Sequence, residues 1–95
     1  MTASSAKPLL IDVRSQGEYQ AARLQGAICL PLPELLARIA SVAPDKHCPI
    51  LLYCASGARS EMARQMLMSE GYTQVVNGGG AGQVAMQLGL GVERG

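Results

Sequence analysis

The 95-residue sequence predicts a single α/β domain, a small, mostly parallel sheet with helices on both faces. Three observations carry that expectation. Short aliphatic runs alternate with turns and amphipathic stretches along the chain. The runs lack the polar alternation of a half-exposed strand, so they suit strands covered on both sides. The length supports one core and not two.

Residues 1–8 are small and polar and read as a disordered or extended segment, with the folded domain over 9–95. Leu9-Leu10-Ile11-Asp12-Val13 is the first buried strand. Ser15 and Glu18 stand three apart as a capping box, starting a short helix that carries Tyr19 and Ala22 and ends before Gly26. Ala27-Ile28-Cys29-Leu30 is a second strand closed by Pro31. Pro33 suits a first helical turn, and Leu32, Leu35, Leu36 and Ile39 at helical spacing extend that helix to about Val42. Pro49-Ile50-Leu51-Leu52-Tyr53-Cys54, the most apolar stretch, is the central strand. Beyond a small-residue turn, Met62, Ala63, Met66 and Leu67 mark one face of a helix over Ser60–Glu70, capped by Gly71. Gln74–Asn77 is the last strand, Gly78–Gly82 a flexible turn, and Gln83–Leu88 a final short helix.

Composition excludes several function classes. With 48% hydrophobic and 16% charged residues, the chain is not a disordered one. It has no Trp, no Phe and three Tyr, which leaves no stacking platform for nucleic acid. Its net charge of +1 offers no basic field, so any anion must be held by a local device. No apolar run approaches a membrane span. Met1 to Pro8 lack the apolar core of a signal peptide, so the chain as written fits the cytoplasm, or the periplasm if such a signal has been removed. Three cysteines with no C-x-x-C pair form no closed disulfide framework and no metal site. A monomer is expected.

Ligands of open α/β sheets bind where the carboxyl ends of strands lead into helices, and Cys54 ends the central strand. The turn after it, Ala55-Ser56-Gly57-Ala58, holds nothing bulkier than Ser before Arg59 and Ser60. Its backbone N–H groups can curl around a point above the sulfur, and the following helix start adds positive potential. Such a setting favours thiolate over thiol and binds anions. Arg59 adds a fixed charge able to grip an oxyanion through two parallel hydrogen bonds. Against this stands the ordinary reading of a cysteine ending a buried strand, that of a small inert hydrophobe.

The segment Cys54-Ala55-Ser56-Gly57-Ala58-Arg59-Ser60 resembles the active-site loop of the rhodaneses, the thiosulfate sulfurtransferases, and further family marks stand in order. Ile11-Asp12-Val13-Arg14 is similar to the family's I-D-V-R strand end, Glu18-Tyr19 to its acidic-aromatic pair, and Gly26–Pro31 to its G-A-x-N-I-P segment. Gly71-Tyr72 and Asn77–Gly80 resemble its closing motifs. The match runs from Leu9 to about Leu90 and is nearest to the compact single-domain bacterial members of the phage-shock-protein E type. The family's usual first strand and helix have no counterpart, so a reduced sheet is expected.

The resemblance implies ping-pong sulfur transfer. Thiolate Cys54 takes the outer sulfur of thiosulfate as a persulfide and passes it to cyanide, a thiol or a protein thiol. Arg59 and the loop residues Ala55, Ser56, Gly57, Ala58 and Ser60 bind the anion, and neither metal nor organic cofactor takes part. A sulfur carrier or a rhodanese-like binding module fed by a protein partner is the alternative. A C-x5-R phosphatase or arsenate reductase fits less well, because only four residues separate Cys54 from Arg59.

The remaining candidates have plainer roles. Asp12 either orients Arg59 or Arg14 or caps the following turn. Arg14 either meets a substrate anion or, as the better reading, forms a structural ion pair. His47 is a surface residue, Cys29 buried and Cys48 exposed, both dispensable. Met62, Met66 and Met68 read as core filling.

Overall fold

The structure, a computed structural model, describes residues 7–95. Of the segment 1–8 expected to be extended or disordered, residues 1–6 lie outside the described residues, while Lys7 and Pro8 are exposed and precede the first strand. In chain order the elements are β1 (Leu9–Asp12), α1 (Gln16–Ala21), β2 (Ala22–Leu24), β3 (Ile28–Cys29), α2 (Leu35–Val42), β4 (Ile50–Cys54), α3 (Ala58–Ser69), β5 (Val75–Gly80), α4 (Ala81–Leu88) and β6 (Val92–Arg94). The strands β3, β1, β4 and β5 lie side by side in that order, all parallel. This is the expected α/β architecture.

Side-chain alternation along β4 builds both halves of the interior. Ile50, Leu52 and Cys54 point into one cluster with Ile11, Val13, Leu35, Ile39, Ala63 and Leu67, beneath α2 and α3. Tyr53 points the other way, to Leu10, Leu24 and Val84 beneath α4. The central strand therefore delivers its last residue, Cys54, to the α3 side of the sheet.

Several local expectations change. Residues 22–24 do not continue the first helix: Ala22 is already extended, and β2 pairs antiparallel with β6, which the sequence did not announce. The pairing follows burial of Leu24 against Tyr53 and Val84, a tertiary contact that overrides local helical preference. Met62 and Met68 are 57% and 49% exposed, not core. The buried face of α3 is instead Ser60, Ala63 and Leu67, and Met62 falls on its opposite side at 3.6 residues per turn. Leu36 likewise faces solvent. Cys29 and Cys48 are both half-buried, one less covered than expected and the other more.

The glycine run differs most. Gly78–Gly80 is not a flexible turn but the end of β5, and the helix expected from Gln83 begins at Ala81. Leu52 stands opposite Asn77 and Cys54 opposite Gly80, so β5 accommodates one extra residue in a bulge. Gly79 takes the left-handed conformation there, at φ 93°. The bulge brings the Gly80 backbone against the loop after Cys54: a Cβ at Gly80 would lie 2.6 Å from the Ala55 carbonyl oxygen. Gly80→Ala is therefore expected to displace that loop, lowering both the thermal midpoint and the reactivity of Cys54 toward iodoacetamide. A variant with wild-type midpoint and alkylation rate would show that the approach is relaxed at no cost.

Candidate active site

The Cys54 side chain is fully buried at the carboxyl end of β4, beneath the turn that leads into α3. Gly57 makes that turn possible: at φ 100° it reverses the chain as the N-cap of α3, a conformation in which a side chain is strained. Helix α3 starts at Ala58, two residues before the expected Ser60. The loop is thus only Ala55-Ser56-Gly57, and Ala58, Arg59 and Ser60 form the first helical turn.

The Gly57 amide donates to Cys54 Sγ at 2.9 Å, and Ser60 Oγ lies 3.5 Å from the sulfur. Burial pushes the thiol up, but hydrogen bonds from the Ser60 side chain and the Ser60, Gly57 and Ser56 amides outweigh it and bring Cys54 down to about 7. Cys29 and Cys48 go the other way, each raised chiefly by burial. Cys54 alone among the three sits where thiolate is favoured.

Asn77, on β5, completes this arrangement and was not among the candidates. Ser60 Oγ donates to Asn77 Oδ1 at 2.6 Å and to Gly57 O at 3.1 Å. Asn77 Nδ2 also donates to Gly57 O, at 3.1 Å, and Asn77 Oδ1 accepts from Gly79 N, at 2.9 Å, which fixes the amide's orientation. The Ser60 hydroxyl has one proton to share among these acceptors and the sulfur. With a neutral thiol, S–H donates to Ser60 Oγ. With a thiolate, the hydroxyl can turn its proton to sulfur while Asn77 keeps the Gly79 N–H.

Arg59 projects from the first turn of α3, but its two terminal nitrogens are engaged. They donate to the Glu18 carboxylate at 2.7 and 3.1 Å, in the parallel arrangement expected for a substrate oxyanion. Glu18 forms the capping box with Ser15 as expected, and it also crosses to Arg59, which no local pattern signals. Bonding to Arg59 first, and to Ser15, holds the Glu18 carboxyl down at about 2. A cleft of about 420 Å³ opens beside Arg59, walled by Val13 and Ser15 after β1 and by Pro31 and Leu32 after β3. It lies at the carboxyl ends of the strands, where open parallel sheets receive ligands.

Asp12 and Arg14 do not reach this cluster. Asp12 is fully buried and accepts from Arg14 N, Nε and Nη2, the last at 2.7 Å. Arg14 also donates to the Ala22 carbonyl at 2.6 Å and lies over the Tyr53 ring. The pair ties the end of β1 to β2 and β4. His47 is exposed and bonds Thr73. Among the described residues no cluster of His, Cys, Asp or Glu is arranged to hold a metal, and no helix is long and apolar enough to cross a membrane.

Comparison with known proteins agrees with this geometry. The chain is 45% identical over 76 residues to thiosulfate sulfurtransferase PspE of Escherichia coli, spanning 80% of this chain and 73% of that protein. It is 35% identical over 69 residues to a sulfurtransferase of Allochromatium vinosum, across 73% of this chain and 63% of that one. Among solved structures, a rhodanese with anions from E. coli aligns at TM-score 0.84 and 39% identity, covering 94% of this chain and 100% of that one. The human single-domain sulfurtransferase TSTD1 aligns at TM-score 0.69 and 30% identity, covering 83% and 79%. Residues 2–81 match the family described as Rhodanese-like domain. A parallel sheet that ends its central strand in an activated cysteine, and a family match over most of its length, place the chain in the rhodanese-like domain family.

Proposed function

We propose that the protein is a thiosulfate sulfurtransferase working through a Cys54 persulfide. The observation that carries this reading is the Cys54 sulfur itself, held at about 7 by amides and Ser60 at the start of α3. In the first step the thiolate attacks the outer sulfur of thiosulfate. The Cys54 S–S bond forms, the donor's S–S bond breaks, and sulfite leaves with its electron pair. In the second step cyanide or a thiolate attacks the outer persulfide sulfur and leaves Cys54 as thiolate. Each half removes one group before the other enters, which is ping-pong behaviour.

The Gly57 N–H meets Cys54 Sγ, which is the attacking thiolate of the first step and the leaving thiolate of the second, so one preorganised donor serves both steps. The name of PspE and the family's sulfurtransferase members support the same chemistry. No step calls for a metal or an organic cofactor.

Intact mass after incubation with thiosulfate tests this. The chain is expected to gain one sulfur atom, and alkylation of Cys54 beforehand is expected to prevent the gain. The initial rate should rise with pH through about 7 and level off above it, because the attacking species is the thiolate. A protein that gains no sulfur at any pH, yet accepts one from a persulfidated protein, is a carrier and not a thiosulfate-using enzyme.

A further inference from the structure

Arg59 is the one cation of the first turn of α3, yet its charge is not free. The Glu18 carboxylate meets both terminal nitrogens, and the two side chains are 37% and 38% exposed, so this pair stands at the mouth of the site. A guanidinium carries five N–H donors, and an end-on carboxylate uses two of them. Three remain for a ligand entering the adjoining cleft. Hydrogen bonding is thus still available there, while the net charge of the pair is zero. Glu18 is itself anchored, because its Oε1 accepts from Ser15 N at 3.0 Å and Ser15 Oγ accepts from Glu18 N.

We propose that Glu18 is a specificity-determining residue that weakens the hold of the site on strongly anionic sulfur donors by neutralising Arg59. The proposal rests on the sulfurtransferase reading above. A dianionic donor approaching Arg59 either displaces the carboxylate or binds beside it against like charge. A donor of lower charge meets a smaller opposition. Glu18 acts through Arg59 and touches no reacting atom, so its influence falls on the binding of the anion and not on the bond-breaking steps.

The test compares thiosulfate with a monoanionic thiosulfonate as donor, with cyanide as acceptor. Glu18→Gln keeps an oxygen for Ser15 N and removes the charge. Its KM for thiosulfate is expected to fall about twofold to fivefold at low salt, the range of a half-exposed ion pair. The KM for thiosulfonate should fall less, kcat should hold, and salt at about 0.5 M should shrink the difference, because screening weakens half-exposed charges. Glu18→Ala should shift the thiosulfate KM in the same direction. Glu93→Gln removes one negative charge where Glu93 pairs with Arg23 on the β2–β6 ribbon, and should leave both KM values alone. A thiosulfate KM that rises in both Glu18 variants overturns the proposal and makes Glu18 the residue that aims Arg59 at the donor. Equal shifts for both donors, or the same shift in Glu93→Gln, also overturn it, since they mark a structural effect or one of overall charge. If the wild-type chain gains no sulfur from thiosulfate, the underlying reading has failed instead.

Discussion

Replacing Cys54 by Ser is expected to lower sulfur transfer by about three orders of magnitude or more while leaving the fold in place. The hydroxyl can accept the Gly57 N–H and face Ser60 as the thiol does, so no buried polar atom is orphaned. The thermal midpoint should therefore move by only a few degrees, roughly what a ΔΔG of about 1 kcal/mol produces in a domain of this size. A serine forms no persulfide, so both thiocyanate production and the mass gain from thiosulfate should vanish together. Retained turnover in a folded C54S protein would move the nucleophile elsewhere, to a half-buried Cys29 or Cys48 whose thiol is raised and not lowered.

Asp12→Ala should have the opposite signature, a large loss of stability with the chemistry intact. Asp12 has no exposed surface and the Arg14 side chain only 12%, and the two meet through three side-chain hydrogen bonds. Removing the carboxylate leaves a nearly buried guanidinium facing Tyr53 with only the Ala22 carbonyl to accept from it. Breaking one side of such a pair costs about 3–5 kcal/mol, a large share of the roughly 5–15 kcal/mol that holds a domain folded. Urea titration should show the loss, and persulfide formation per folded molecule should match wild type. An unchanged midpoint with lost transfer would instead return Asp12 to the reaction.

The opposite fates of Cys54 and Asp12 show what the sequence makes legible. Cys54 and its loop are one continuous stretch, and their meaning comes from a local grammar: an apolar run that ends, small residues that bend, and a helix that starts. β1, β3 and β4 are legible for the same reason, since each is a short apolar run that must be covered, whereas β5 is legible only over its first half, Val75 to Asn77. The Asp12–Arg14 pair could be anticipated because a single residue separates its members.

Contacts made at long sequence separation are silent. Glu18 reads correctly as the cap of α1, and nothing near it announces Arg59, 41 positions away. Asn77 looks like part of a strand end, yet its amide oxygen accepts from the Ser60 hydroxyl beside the Cys54 sulfur. The glycines after it suggest a loose turn because flexibility and close approach demand the same residue; only the nearness of Ala55 and Gln83 tells them apart. β2 and β6 lack an apolar period because their pairing is peripheral, with β6 exposed throughout.

The bulge that seats Gly80 beside Cys54 also bears on the order in which the molecule can become active. The stretch from Cys54 to Ser60 can bend and start its helix by itself, but the amide of Asn77 and the wall at Gly80 arrive on a strand about 20 residues later, and they come into place only when β5 zips alongside β4. Non-local pairings of that kind form after local helices during folding. A chain halted before that step would hold the Ser56, Gly57 and Ser60 donors that lower the thiol without the Asn77 and Gly80 contacts that keep them in place, so the finished sheet fixes a geometry that the motif by itself only permits.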